Sequence, residues 1–244
     1  MRDRFGVPRV RRVSFDLRAG EILGIAGVAG NGQSELLDAL AGILTPARGR
    51  ILLRGTDLVR GAIGPRERRR LALAHVPEDR LRQGLVPAFS AQDNALLGYQ
   101  DLPAYNRCGL LRPAAIRGRC ERMLRDYDVR PADPALRLSA FSGGNQQKLV
   151  LAREIGGDPE VLLVGQPTRG VDIGAVEFIH RRLVGLRDAG TALLLVSVEL
   201  DEILGLADRI LVMFDGAIVG TVAAADATEQ RLGRMMAGVL EDGA

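Results

Sequence analysis

Apolar residues along the chain cluster in short runs that alternate with segments of helical periodicity. The runs 161–164 and 192–197 are almost wholly apolar, as expected for parallel strands that are buried on both faces. Residues 174–189 between them carry apolar side chains at helical spacing, and the run 21–26 leads into a second periodic helix at 35–41. The pattern therefore predicts an α/β fold built around parallel strands.

Apolar and polar residues alternate at 10–17, which predicts a half-exposed strand. We expect the turn at 18–20 to join this strand to the one that begins at Glu21, as a hairpin on the edge of the larger sheet. The remaining short elements are predicted as strands at 50–54 and 71–76, a basic helix at 65–71 and a closing hairpin at 210–222.

The pattern changes in the middle of the chain. From Ser90 to about Leu138 it becomes helical and polar and is interrupted by prolines, which predicts an inserted helical subdomain. The predicted scheme is one domain, with a core at 1–89 and 150–224, a helical subdomain at 90–149 and a C-terminal helix at 225–244.

The amino-acid composition limits the classes of protein to which this chain can belong. A chain of 244 residues with 47% hydrophobic content can bury a full core. No run reaches the about 18 apolar residues of a membrane span, and Met1–Arg4 leads into no signal-peptide segment, so we expect a cytoplasmic protein. Cys108 and Cys120 lack metal-site spacing and are predicted to be free thiols. The net charge of +3 is modest, and the arginine-rich run 66–70 lacks interleaved aromatic residues, so we expect no nucleic-acid partner.

The stretch from Gly24 to Leu36 carries the first chemical signal. It joins a predicted strand to a predicted helix, where a glycine-rich loop can turn its N–H groups towards an anion. The phosphate-loop pattern is G-x-x-x-x-G-K-S/T. Gly27, Gly32 and Ser34 fit this pattern, but Gln33 stands at the position of the lysine. The loop is a predicted nucleotide cradle without its usual charge.

A second glycine-containing turn, Ser142–Gln146, immediately precedes a predicted helix and could also face an anion. It follows the cradle by about 110 residues and precedes the apolar run 161–164 and the turn Pro-Thr-Arg-Gly-Val-Asp at 167–172. This combination resembles the nucleotide-binding domain of ATP-binding-cassette (ABC) transporters over nearly the whole chain. The resemblance implies a P-loop NTPase (RecA-like) core with a mixed sheet, an antiparallel β edge subdomain and an inserted α-helical subdomain that carries the signature.

The finer resemblance is to the second, C-terminal cassette of sugar- and nucleoside-type importer ATPases, which carry two cassettes in one polypeptide. The runs Ser142–Lys148, Pro77–Arg80 and 167–172 are typical of those cassettes. A strand that normally precedes Phe5 is missing, so the chain is expected to be the second half of a tandem protein. A start site placed too far downstream is the alternative.

The resemblance also implies roles for single residues, and several positions depart from the family pattern. Gly165 stands where the family has the magnesium-ordering aspartate, and Gln166 stands where it has the general base. Val198 replaces the switch histidine, and Glu78 replaces the glutamine that reaches the metal. Asp172 keeps its place in the turn that crosses the dimer interface. The residues implied to bind ATP are Gly27, Gly30, Asn31, Gly32, Gln33, Ser34 and Glu35, with Phe5 (or Arg4) stacking on adenine and Ser34 holding Mg²⁺ weakly.

These departures lead to a functional expectation. The chain binds ATP and Mg²⁺ weakly, and the signature residues Ser142, Gly143, Gly144, Asn145 and Gln146 complete the competent site of a partner cassette. The implied partners are a second cassette (homo- or tandem dimer), transmembrane permease subunits and, indirectly, a periplasmic or lipoprotein solute-binding protein, at the cytoplasmic face of a bacterial membrane. The alternatives are an active ATPase that uses Glu78, Asp79 or Glu199, a cassette protein that acts on nucleic acid or ribosomes, and a non-hydrolysing nucleotide-binding module.

Overall fold

The structure is a computed structural model that describes Val7 and residues 9–239. Its strands are β1 (Ile22–Ala26), β2 (Leu52–Leu53), β3 (Thr56–Asp57), β4 (Leu73–Val76), β5 (Asn106–Arg107), β6 (Leu110–Leu111), β7 (Val161–Gly165), β8 (Ala192–Val196), β9 (Arg209–Phe214) and β10 (Ala217–Ala223). Its α-helices are α1 (Gln33–Ala41), α2 (Pro65–Arg70), α3 (Ala91–Leu96), α4 (Pro113–Asp126), α5 (Gly143–Ile155), α6 (Ile173–Asp188), α7 (Leu200–Leu206) and α8 (Glu229–Met236). The predictions of strands at 161–164 and 192–197 and of a helix at 174–189 are confirmed.

A six-stranded mixed sheet, in the order β10-β9-β1-β8-β7-β4, forms the centre of the fold. Strand β1 pairs in parallel with β8 on one side and with β9 on the other, and β7 pairs in parallel with β8. Strand β10 runs antiparallel to β9 and forms one edge of the sheet. Every residue of β1 and β8 is buried, which explains why their sequences are continuously apolar rather than alternating.

The predicted strand at 10–17 is wrong, as is its hairpin with the strand at Glu21. In the described part of the chain no strand precedes β1. The physical reason is that β1 already pairs with β8 and β9, so neither of its edges is open to a further strand. Val13, Phe15 and Leu17 still pack against the core. The alternation therefore reflects one face packed on the core, although the segment forms no strand hydrogen bonds.

The described chain forms two compact units. The first comprises the residues up to His75, Glu160–Gln166 and the residues from His180 onwards. The second comprises Val76–Pro159 and Pro167–Ile179, and it contains the predicted helical segment at 90–149. Its helices α3, α4 and α5 pack on one another, and a two-stranded hairpin (β5–β6) precedes α4.

Among the described residues, no helix is both long enough and apolar enough to cross a bilayer. The two cysteines are free, as predicted: Cys108 is exposed and Cys120 is buried. Burial raises the pKa of the Cys120 thiol to about 12, so this side chain is a neutral core group.

Arg68 on α2 is a buried charge that caps the C-terminal end of helix α1. Its side chain is 4% exposed, and its guanidinium donates to the carbonyls of Ala39 and Leu40 at 2.7 Å each and to that of Ile63 at 2.8 Å. The last carbonyls of a helix have no partner within the helix, so a positive group there is stabilising. Arg68 thereby anchors the helix that follows the predicted cradle.

We expect Arg68→Ala to lower the free energy of unfolding by about 2–4 kcal/mol, because it removes the hydrogen bonds of a buried guanidinium to three backbone carbonyls. Arg70→Ala removes an exposed arginine from the same helix and should cost less than about 0.5 kcal/mol. Urea unfolding followed by circular dichroism measures both values. Equal stability of the two variants would contradict the anchoring role.

Candidate functional site

The predicted cradle lies between β1 and α1 in the first unit. Gly30 and Gly32 adopt φ values of 91° and 100°, a left-handed conformation that strongly favours glycine. Gly32 is the N-cap of α1 and provides no side-chain cap. Within the described residues, no acceptor takes the N–H groups of Gln33 and Glu35 in the first turn. The loop therefore offers backbone donors to an anion, as a phosphate-binding loop does.

The side chain of Gln33 folds back over this loop. It is 5% exposed, and its amide nitrogen donates to the carbonyl of Val28 at 3.2 Å. It lies so close to Gly27 that a Cβ at position 27 would collide with the amide nitrogen. Gln33 thus closes the loop with a neutral hydrogen bond. A Cβ at position 27 would also lie 2.9 Å from the carbonyl oxygen of Met213, so the need for glycine follows from both contacts.

A second contact supports the back of the loop and could not be read from the pattern. The carbonyl and side-chain oxygens of Asn31 accept from the N–H groups of Gly216 and Asp215, each at 3.1 Å. A Cβ on Gly32 would collide with the carbonyl of Arg9. The turn between β9 and β10 and the segment at Arg9 therefore hold the loop in shape. In this structure, Asn31 links the loop to the β9–β10 turn through these two hydrogen bonds.

Gln166 and Val198 come together at the same edge of the sheet as the loop, since β1, β7 and β8 are parallel and all end there. Gln166 follows Gly165 at the end of β7, has φ of 47° and is 8% exposed. Its N–H donates to the carbonyl of Val196 at 2.8 Å, and its Oε1 accepts from the N–H of Val198 at 3.4 Å. The amide that stands at the predicted base position is therefore engaged with backbone.

Metal ligands are scarce around this loop. The described residues contain no group of three or more histidine, cysteine, aspartate or glutamate side chains that could hold a metal ion. Ser34 is exposed at the start of α1 and offers a hydroxyl, whereas Gly165 offers no side chain. The residues present fit the phosphates of a nucleotide through their backbone donors, and Ser34 is the residue that would hold Mg²⁺ if the ion accompanies the nucleotide.

The signature turn lies in the second unit, at the start of α5. Ser142 is exposed and caps the helix: its Oγ accepts from the backbone N–H of Asn145 at 3.3 Å and from the Asn145 amide at 2.9 Å. The Asn145 Oδ1 accepts from the N–H of Arg130 at 2.8 Å. The buried Gln146 donates to the carbonyls of Leu138 and Phe141. Ser142 is therefore the exposed side chain of a turn that its neighbours fix in place.

Gly144 is buried against Asp172. A Cβ at position 144 would lie 2.6 Å from the Asp172 Oδ2 and 3.0 Å from the Ala175 Cβ. The other carboxylate oxygen of Asp172 accepts from the N–H of Ala175 at 2.9 Å, at the first turn of α6. Asp172 thus caps α6 and covers the signature glycine in the same chain.

Arg80 is a functional candidate that the sequence analysis missed. Its guanidinium donates to the carbonyls of Arg169 at 2.9 Å and Gly170 at 3.4 Å, and its Nε donates to the Gln146 Oε1 at 3.4 Å. Burial lowers the pKa of Arg80, and the neighbouring Asp79 opposes that shift. The family-like run Pro77–Arg80 was the available signal, but only a structure shows which groups its arginine joins.

The other predicted residues are placed as follows. Glu78 is half-buried and belongs to the second unit, in the segment that follows β4, and Glu35 is half-buried in the first turn of α1. Phe5 and its alternative Arg4 lie outside the described residues. Glu199, one of the alternative carboxylates, is exposed at the N-cap of α7 and belongs to the unit that holds the cradle.

A family model described as ABC transporter matches residues 10–169. The chain belongs to the ABC transporter family. It is similar to the guanosine import ATP-binding protein NupO of Bacillus subtilis, with 43% identity over 98% of this chain and 46% of the relative. It is also similar to the nucleoside import ATP-binding protein NupA of Lactococcus lactis, with 43% identity over 96% of this chain and 46% of the relative. The chain spans about half the length of these curated relatives.

Solved structures agree on the fold. The dimeric post-hydrolysis state of the ATP-binding cassette MJ0796, bound to ADP and Pi, has a TM-score of 0.74 and 21% identity, and the match covers 88% of this chain and 90% of that chain. A structure of the ATP binding subunit of an ABC transporter has a TM-score of 0.73 and 21% identity, over 98% of this chain and 90% of that chain. The predicted α/β P-loop fold with a mixed sheet is confirmed.

ATP with Mg²⁺ is the ligand of the nucleotide-binding domains in this family. The cradle between β1 and α1 presents one set of backbone donors, and the turn at Ser142 presents a second set at the start of α5. The two sets belong to different units. Of the positions that differ from the family pattern, Gly165 lies on β7 and Gln166 directly after it, whereas Gln33 opens α1.

Proposed function

We propose that this chain is the nucleotide-binding cassette of an importer for nucleosides or simple sugars, and that it acts mainly through its signature. It binds ATP weakly at its own cradle and hydrolyses little of it there. In a head-to-tail pair, Ser142–Gln146 completes the nucleotide site of a partner cassette, which supplies the competent phosphate loop and general base. The solute class is proposed from relatives named for guanosine, nucleoside and ribose/galactose import.

The observation that carries the proposal is the set of neutral groups at the cradle edge. Gln33 replaces a charge-assisted contact to phosphate, which is worth roughly 1.5–3 kcal/mol, so nucleotide affinity should be about 10- to 100-fold weaker. Gln166 has no basic carboxylate and its amide oxygen accepts from Val198. Losing a positioned base costs about 10²- to 10⁴-fold in rate. The defects act on the same step, because phosphoryl transfer depends on charge and metal placement.

The signature supports the other half of the proposal. Ser142 is exposed and its turn opens a helix of 13 residues, so backbone donors and the helix dipole face the same way. Donors held at this position matter most as charge develops on the transferring phosphoryl group. The proposed assembly therefore has one competent site and one weak site. It also includes transmembrane permease subunits and, indirectly, a solute-binding protein outside the membrane.

The main alternative is an active ATPase that uses an unusual carboxylate. Glu199 is the candidate that one observation favours, because it follows Val198 at the carboxyl end of β8, in the unit that contains the cradle. A general base must reach the attacking water within hydrogen-bond distance, directly or through one water. Replacing Glu199 by Gln tests this reading directly.

The test measures ATP turnover of this cassette alone, of the partner cassette alone and of the two together. We expect this cassette alone to be at least about 10²-fold slower than the pair, because it lacks a base. Glu199→Gln in this cassette should leave the rate of the pair unchanged. Turnover by the isolated cassette at the rate of the pair, abolished by Glu199→Gln, would instead establish the alternative.

A further inference from the structure

Arg80 joins three chain segments of the second unit at the signature turn. It lies in the segment that follows β4, it donates to the carbonyls of Arg169 and Gly170, and it donates to the side chain of Gln146 on α5. Gly143 packs against the same group: a Cβ there would lie 2.6 Å from the Arg80 Nη2 and 2.7 Å from the Gly170 carbonyl oxygen. The first signature glycine is therefore required by Arg80 and by the 169–170 turn.

We propose that Arg80 is a positioning residue for ATP hydrolysis, which fixes the signature turn against the 169–170 turn. The inference rests on the proposed function, in which the signature acts on nucleotide held by a partner cassette. Arg80 itself touches carbonyl and amide oxygens of its own chain. Its effect on the reaction is transmitted through the position of Ser142 and Gly143.

The geometry requires a guanidinium. A planar fork with donors in fixed directions can serve three acceptors that belong to different segments, whereas an ammonium is a point charge that adapts to fewer of them. The acceptors of Arg80 are two backbone carbonyls and one amide oxygen. A lysine at this position would keep the charge but lose the bridge between α5 and the 169–170 turn.

The electrostatics argue against a role in stability alone. In the described part of the chain, no carboxylate forms an ion pair with Arg80, although Asp79 lies next to it in sequence. The guanidinium also lies beside the N-terminus of α5, where the helix dipole disfavours a positive charge. Partial burial of a charge without an ion pair has a free-energy cost, which the nearby Asp79 reduces but does not remove. A residue held there at such a cost fits a positional requirement better than a stabilising one.

The experiment uses the assembled importer with Arg80→Ala, Arg80→Lys, Ser142→Ala and the control Arg82→Ala. Arg82 is exposed, and its side chain forms no hydrogen bond with the described residues. We expect Arg80→Ala to lower kcat for ATP about 10- to 100-fold, since a displacement of about 1 Å can cost that much. KM should stay within about twofold, because ground-state binding of ATP uses the partner's phosphate loop. Arg80→Lys should fail to restore kcat, and the melting temperature should match that of Arg82→Ala.

Each other outcome overturns the inference in a distinguishable way. If Ser142→Ala is inactive while Arg80→Ala is normal, the signature acts as proposed and Arg80 does not position it. If Ser142→Ala is normal, the proposed function itself fails. Rescue by Arg80→Lys would assign the effect to charge, and a melting temperature well below that of Arg82→Ala would assign it to stability.

Discussion

An importer that carries Gly144→Ala in this cassette is expected to lose about 10²- to 10³-fold of its ATPase rate, the loss seen when a preorganised donor is removed. The added Cβ would lie 2.6 Å from the Asp172 Oδ2 and 3.0 Å from the Ala175 Cβ. Displacing either neighbour would disturb the start of α6, because Asp172 caps this helix through the N–H of Ala175. The start of α5 must shift instead, and Ser142 shifts with it.

The measurement compares ATPase rate and solute uptake of the importer with those of a matched control. Gly118→Ala adds the same methyl group on α4, where its nearest neighbour is the Arg122 Nη1 at 3.7 Å, an ordinary contact. An alanine within a helix is more favourable than a glycine by about 1 kcal/mol, so this control should fold at least as well. ATPase activity of Gly144→Ala equal to that of Gly118→Ala would contradict the role assigned to the signature.

The central part of the fold was predictable because continuous apolar runs allow few arrangements. Strands β7 and β8 are buried on both faces and flank the amphipathic α6 in sequence, which is the pattern of a parallel crossover unit. The segment at 10–17 has an equally clear pattern, but the pattern could not reveal that β1 pairs on both sides. Alternation reports a buried face, whereas strand formation also needs a free partner edge.

The residues of the candidate site also fall into two groups: those that a local motif predicts and those whose contacts lie far away in the sequence. Glycines with left-handed backbone, such as Gly30 and Gly32, follow from a short local motif. Arg80 joins partners 66 to 90 residues away, and the support of Asn31 comes from a turn 184 residues away. Such contacts depend on the whole topology. No local signal in one sequence specifies them.

Restoring the missing lysine is expected to change binding without restoring chemistry. Gln33→Lys should raise the affinity of this chain for ATP about 10- to 100-fold, equivalent to 1.5–3 kcal/mol, because it returns a charge-assisted contact to phosphate. The Gln33 amide already donates to the carbonyl of Val28, so the ammonium can keep that bond and the loop can keep its shape. Turnover should stay negligible, since Gly165 and Gln166 still supply neither metal ligand nor base.

Equilibrium titration of the chain with a fluorescent ATP analogue measures the affinity, and phosphate release measures turnover. Gln33→Ala is the matched control: it removes the bond to Val28 without adding charge, so it should bind no more tightly than the parent chain. Adding Gln166→Glu to Gln33→Lys should raise turnover above that of Gln33→Lys alone, because it returns a carboxylate at the end of β7. Rapid hydrolysis by Gln33→Lys alone would mean that the cradle lacks only its charge. The base would then come from another carboxylate, and Glu199 would be the first to replace.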